Sequence, residues 1–211
     1  MAISTTAELK TAVSNWLNRS DLTDRIPEFI TLAEAQFNRL LRTREMLARS
    51  TATSAAQYVS LPTDFLEMLN IELTSTTPPK RIVYITSDRS DDYREKRKDA
   101  TGTPSYYTIE GTVIQLQPTP DKSYTIQMTY YKDIPALSDQ GDSGYNWILT
   151  SHPDIYLYAT LMQASPYIMD PQSAGQWGGL LDRAMQELQM SDEKSRYAGG
   201  TLNMRPKYIY S

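Results

Sequence analysis

Residues 105–131 read SYYTIEGTVIQLQPTPDKSYTIQMTYY, and this stretch decides the fold class. Apolar and polar residues alternate in three runs, 105–110, 112–117 and 124–131, all rich in Ile, Val, Thr and Tyr. That period of two, with β-branched and aromatic side chains, predicts strands buried on one face. Glu110-Gly111 sits between the first two runs and Pro120-Asp121 precedes the third, so the turns are short. Short turns favour antiparallel pairing, because a parallel connection needs a crossover of a dozen residues or more.

Working outward, the same pattern extends back through 57–61, 68–74 and 81–86, punctuated by Pro78-Pro79 and Thr101-Gly102. SDRSDDYREKRK, at 87–98, breaks the pattern and reads as a short polar helix or loop. Beyond the strand block the period changes to that of a helix on both sides. Thr5 and Glu8 have the spacing of a capping box, and Leu9, Ala12, Val13, Trp16 and Leu17 then share a face, which predicts a helix over 6–18. Asp21 and Asp24 precede a second start with Pro27 in its first turn. The stripe Ile26, Phe29, Ile30, Ala33, Phe37, Leu40 and Leu41 carries that helix to about residue 42. These two helices are expected to pack as a hairpin.

After the strands, Thr150 or Ser151 is positioned to cap a third helix with Pro153 near its first turn and Ile155, Tyr158, Leu161, Met162 and Ser165 inward. Asp170-Pro171 opens a last helix lined by Trp177, Leu180, Leu181, Ala184 and Leu188, weakened early by Gly175, Gly178 and Gly179. Its signal fades past Met190. The expected fold is therefore α+β: an antiparallel helical bundle formed by both chain ends (1–43 and 146–197), a β-rich antiparallel sheet or sandwich inserted at 44–145, and an extended tail at 198–211.

Composition narrows the function classes. The 211 residues are 40% hydrophobic and 22% charged, as in ordinary folded domains, so wholesale disorder is not expected. A net charge of −4 argues against a dedicated nucleic-acid binder, while permitting a channel that DNA slides through. With no cysteine there is no disulfide framework, thiolate nucleophile or cysteine-based zinc site. The start MAISTTAELK lacks a basic and an apolar region, so no signal peptide is expected, and no apolar run suggests a membrane span. Tyrosine is abundant, 15 against 3 Phe and 3 Trp. Its apolar ring and polar hydroxyl suit half-buried positions and subunit contacts.

No constellation announces a reaction. Asp88, Asp91 and Asp92 could hold a hard cation, but their spacing is not that of a calcium loop and five basic residues of the same segment compete for them. His152, the single histidine, has no second histidine or serine elbow to work with. Asp133 and Asp139 form a carboxylate pair of the kind glycosidases use, a minor alternative. No catalytic residue, cofactor site or metal site is expected. The tail is more suggestive. AGGTLNMRPKYIYS combines a Gly-Gly release with Arg205, Pro206, Lys207, Tyr208, Ile209 and Tyr210, and aromatic and β-branched residues are uncommon in solvated ends. These six residues are candidates for docking onto another chain by strand addition.

Five phrases in order carry a family resemblance: WLNRSDLTDRIPEFITLAEAQFNRLLR from Trp16, LPTDFLEM from Leu61, PSYYTIEG from Pro104, QPTPDKSYTIQMTYYKDIPALSD from Gln117, and NWILTSHPDIYLYATLMQASPYI from Asn146. Together they resemble the head-tail adaptor (head-completion) proteins of tailed phages related to the podovirus SU10 adaptor, and more distantly the tail tubular protein A-like adaptors. The resemblance implies a non-enzymatic virion protein at the head-tail junction, made in the host cytoplasm. It implies a dodecameric ring beneath the portal protein that receives the tail or nozzle protein and lets DNA pass through its lumen without specific binding. It also makes residues 205–210 the candidate portal contact. A tail-completion or stopper protein is the runner-up.

Overall fold

A computed structural model describes residues 3–97 and 100–197, which fold as two units. One comprises Met1–Arg44 with Pro135–Ser211, and the other is Glu45–Ile134.

In the first unit, α1 (Thr6–Leu17) begins with the anticipated capping box: Glu8 N–H donates to Thr5 Oγ1 at 3.3 Å, and Thr5 N–H donates to Glu8 Oε2 at 3.1 Å. It ends at Asn18 in the left-handed region, φ 51°, a conformation asparagine tolerates better than most residues. α2 (Ile26–Leu40) carries Pro27 in its first turn and buries Ile26, Phe29, Ile30, Ala33, Glu34 and Phe37. No side chain caps it, so Asp24 does not play the role its position suggests.

The second unit is a single seven-stranded sheet curled into a nearly closed, barrel-like form. Its strands are β1 (Leu47–Ser54), β2 (Tyr58–Ser60), β3 (Phe65–Leu73), β4 (Lys80–Tyr84), β5 (Tyr106–Glu110), β6 (Val113–Gln117) and β7 (Tyr124–Lys132), with α3 (Ser87–Arg97) between β4 and β5. Their spatial order is β1-β7-β3-β4-β5-β6-β2. The inward alternation of β7 buries Tyr124, Ile126, Met128 and Tyr130 against Ile71, Leu73, Ile82, Ile114 and Leu116. The β5–β6 hairpin turns at Gly111, whose φ of +60° a side chain would resist. The polar α3 is held by one buried residue, Ser90. Its hydroxyl donates to Gln115 Oε1 at 3.0 Å and accepts from Gln117 Nε2 at 3.1 Å.

The chain then returns to the first unit through α4 (Trp147–Ser151), α5 (Pro153–Ala164) and α6 (Pro171–Tyr197). The functional cap lies earlier than Thr150 or Ser151: Asn146 Oδ1 accepts from Leu149 N–H at 3.0 Å to start α4. α5 buries Ile155, Tyr156, Leu157, Ala159, Thr160, Leu161 and Ala164, residues on nearly every side. A helix apolar all round belongs at a centre, and α5 is the main neighbour of α1, α2 and α6 alike. α1 and α2 do touch, and each packs more extensively on α5 than on the other. α6 runs on through its three glycines to Tyr197, burying Leu181, Ala184, Met185, Leu188 and Asp192, while Leu180 is exposed.

These findings overturn the expected fold class. The molecule is a mixed α/β fold with a seven-stranded barrel-like sheet and six helices among the described residues, not an antiparallel helical bundle bearing an antiparallel insertion. Two features account for the difference. α3 supplies the crossover that makes β4 and β5 parallel, pairing Val83 with Tyr106 and Tyr84 with Tyr107. β1, LARSTATS, is a strand that its small, polar composition hides, yet it pairs with β7 along all eight residues.

Candidate functional site

The residues singled out for chemistry fall in different elements. Asp133 lies at the end of the sheet unit, where burial and then the charge of Asp64 push its carboxyl above the usual range. Asp139 sits in a 3-10 turn, Ser138–Gln140, of the helical unit. His152 is half-buried with its ring edge-on to Trp147, centroids 6.4 Å apart. Asp91 pairs with Arg94 at 3.3 Å on α3, the self-compensating arrangement expected of a solvated segment. Among the described residues no three His, Cys, Asp or Glu side chains stand together as metal ligands, and no helix is long and apolar enough to cross a membrane. The candidate docking residues Arg205, Pro206, Lys207, Tyr208, Ile209 and Tyr210 lie outside the described residues.

The structure instead presents contact surfaces. On the helical unit, Trp16 from α1, Tyr158 from α5 and Trp177 from α6 form an aromatic cluster. Trp16 meets Trp177 edge-on at 5.6 Å and Tyr158 at 6.4 Å, and Tyr158 stacks on Trp177 at 6.4 Å. Trp16 remains 52% exposed, so a large apolar ring faces outward on a rigid base. Rigid aromatics of this kind are typical anchors of protein interfaces, since little rotamer freedom is lost when they are covered. The helical period puts Trp16 and Trp177 on the apolar faces of their helices. The helical period shows which residues share a face, but not how far a neighbouring helix covers it.

On the sheet unit, a cleft of about 860 Å³ opens between β3 and the β4–β5 pair. Leu69, Val83 and Tyr84 line it, all about half exposed, and Asn70 Oδ1 is buried there with no hydrogen-bond partner. Nothing in the sequence marks this cleft, because it arises from where β4 leaves β3.

The interior of the helical unit is pinned by a polar cluster. Glu34, 4% exposed, accepts at Oε1 from Leu137 N–H at 2.8 Å and from the Tyr156 hydroxyl at 3.1 Å. Asn146 Nδ2 donates to Tyr156 Oη and to Pro135 O. Burial raises the Glu34 carboxyl above its ordinary range, with Asp139 adding to the effect against the two hydrogen bonds. This cluster ties α2, α5 and the 135–146 segment together by hydrogen bonds.

The helical unit thus presents an outward aromatic cluster, and the barrel-like unit an open cleft lined by half-exposed apolar side chains. No curated protein matches the chain. The SU10 adaptor protein family matches residues 4–205, across both units, and the chain belongs to that family of structural phage proteins.

Proposed function

We propose that this protein is the head-tail adaptor of a tailed phage, closing into a ring under the portal and handing the assembly on to the tail or nozzle protein. The observation that carries the reading is the family match over residues 4–205, which takes in both folded units rather than one shared module. Exposed aromatic and apolar surface on each unit supports it. Trp16 on one and Tyr84 on the other are each more than half exposed, and a subunit of a closed ring needs two such faces for its head-to-tail contacts. In this reading residues 205–210 are the portal-docking tail of each subunit. A net charge of −4 suits a lumen that offers DNA phosphates few cations to grip.

Mass photometry of the purified protein, alone and mixed with portal assemblies, tests the proposal. The expected result is loading of about one copy per portal subunit. Binding to the nozzle with no binding to the portal would replace it with a tail-completion role.

A further inference from the structure

We infer that two copies of this protein pair edge to edge through β1, joining their sheets about a two-fold axis. The contact is separate from the head-to-tail contacts of the ring, because an isologous pair closes on itself.

β1 ends the sheet, and its outward side has the form of an unprotected edge. β7 lies between β1 and β3. Thr125 of β7 turns its main chain toward β3, where its carbonyl accepts from Thr74 N–H at 2.9 Å and its N–H donates to Ser75 Oγ at 3.1 Å. Alternation then points the main chain of Tyr124, Ile126, Met128 and Tyr130 at β1, where they meet Ser54, Ala52, Ser50 and Ala48. The main-chain groups of Leu47, Arg49, Thr51 and Thr53 are left facing away from the sheet. No backbone partner meets them there among the described residues. Folded sheets ordinarily guard an edge by shortness, bulges, charge or proline. β2, at the other end, has only three residues, and the free part of β3 is broken by two register irregularities and flanked by Glu67 and Arg81. β1 has none of these devices beyond Arg49: it runs for eight residues in unbroken register and contains no proline.

The edge fits a second copy of itself. Outward groups must meet outward groups, so an antiparallel pairing joins odd-numbered residues of β1 to odd-numbered ones. Centred on Ser50, the register couples Leu47 with Thr53 and Arg49 with Thr51, and so uses every outward residue. Centred on Thr51 it leaves Leu47 unpaired, and centred on Arg49 it sets two like charges directly opposite each other. The register at Ser50 is therefore the self-complementary one in hydrogen bonds and in charge. On the core-facing side it opposes Ala48 with Ala52 and Ser50 with its own equivalent. All are small, so neither sheet has to admit a large side chain where the two cores meet. This gives the low strand propensity of LARSTATS a reason that the folding of one chain does not supply. One strand on one strand is a small contact beside the roughly 800 Å² per partner of a stable interface, so the pair forms in a concentration-dependent way.

The chain has no cysteine, so a single introduced one reports the register. In full-length Ser50→Cys the two thiols meet in a pair whose Cα atoms lie about 4.5 Å apart, within disulfide range. Oxidation is expected to give a covalent dimer from Ser50→Cys and none from Ser54→Cys, which this register places about 27 Å from its equivalent. Sedimentation of the unaltered chain should show monomer and dimer in exchange. Thr51→Pro removes an outward N–H without touching the bonds to β7, and should weaken the dimer by about tenfold or more. Thr51→Lys, which meets Arg49 across the axis, should do the same if the proline variant does not fold. Portal loading by Thr51→Lys should match that of the parent. Dimers of a protein that ignores the portal would support the pairing and remove only the adaptor reading. A chain that stays monomeric at every concentration, a dimer indifferent to both Thr51 variants, or equal cross-linking at Ser50 and Ser54 would overturn the pairing. Loss of portal loading in Thr51→Lys would assign the edge to the ring and overturn the separate pair.

Discussion

Tyr156 of α5 donates its hydroxyl to Glu34 of α2 at 3.1 Å, and both side chains are almost completely buried. The bond is one part of a chain that runs from Asn146 through Tyr156 to Glu34 and on to the Leu137 N–H. Burial and the neighbouring Glu34 charge also raise the pKa of the Tyr156 phenol, so it stays a donor at any physiological pH. Replacing Tyr156 by Phe keeps the ring that packs edge-on against Phe37 at 5.0 Å but removes the oxygen. Glu34 then loses a donor and Asn146 an acceptor, and leaving buried polar groups unmet costs about 1–3 kcal/mol. Urea unfolding should show a lower midpoint with an unchanged slope; no change would mean water replaces the hydroxyl.

The same cluster predicts a pH dependence of stability. Burial raises Glu34 above its reference value of 4.5, so the folded state holds this proton more tightly than the unfolded chain does. Where the folded state binds more protons, stability falls as pH rises. Glu34 should therefore oppose folding at neutral pH and oppose it less as pH drops toward 4.5. Glu34→Gln removes the titration while keeping an amide oxygen to accept from Leu137 and Tyr156. The stability of the parent relative to the variant should rise as pH falls from 7 to 4.5. Parallel curves would show that Glu34 titrates normally.

Several of these features were open to sequence reading and others were not, for physical reasons. The Thr5–Glu8 capping box and the α2 stripe from Ile26 to Phe37 are local patterns, and local hydrogen bonds and helical spacing produce them. The Glu110-Gly111 turn is local in the same way. What escaped depends on partners far away in the chain. β1 is a strand because β7 lies beside it, not because LARSTATS favours extension. The parallel β4–β5 pair follows from α3 packing Ser90 onto Gln115 and Gln117, a contact no spacing reveals. Glu34 falls on the apolar stripe of α2, and its burial makes sense only once Leu137 and Tyr156 are known to reach it. The candidate contact surfaces divide likewise. Abundant tyrosine hinted at interfaces, whereas the cleft beside Leu69 is a product of sheet register alone.

Asp192 near the end of α6 joins that helix to the chain just after α2. Its Oδ1 accepts from Arg44 N–H at 2.9 Å and its Oδ2 from Arg196 Nε at 2.8 Å, with the Asp192 side chain only 8% exposed. Arg196 in turn donates from Nη2 to Arg42 O at 3.0 Å. Asp192→Ala removes the acceptor for a backbone N–H and the partner that orients Arg196, and should cost about 1–3 kcal/mol. Because the arginines are partly solvated, the ionic share of that loss should be modest and salt-sensitive. Thermal melts at low and high salt check both parts. Asp192→Asn, which keeps one oxygen, should recover some of the stability.

Ser90 gives the sharpest test of how the parallel pair is maintained. α3 is polar along its length and buries only this residue, so little hydrophobic surface holds it to the sheet. The Ser90 hydroxyl instead bridges Gln115 and Gln117, both 2% exposed, and Tyr93 adds an edge-on contact with Tyr106 at 5.2 Å. Ser90→Ala leaves two buried amides each short of a partner, and about 1–3 kcal/mol should be lost. The loss should be local. Hydrogen exchange is expected to quicken across 87–97 and in β4 and β5, while β1, β3 and β7, which pair over seven or eight positions, keep their protection. Uniform loss of protection across all seven strands would show that α3 is integral to the barrel rather than a crossover tethered at one point.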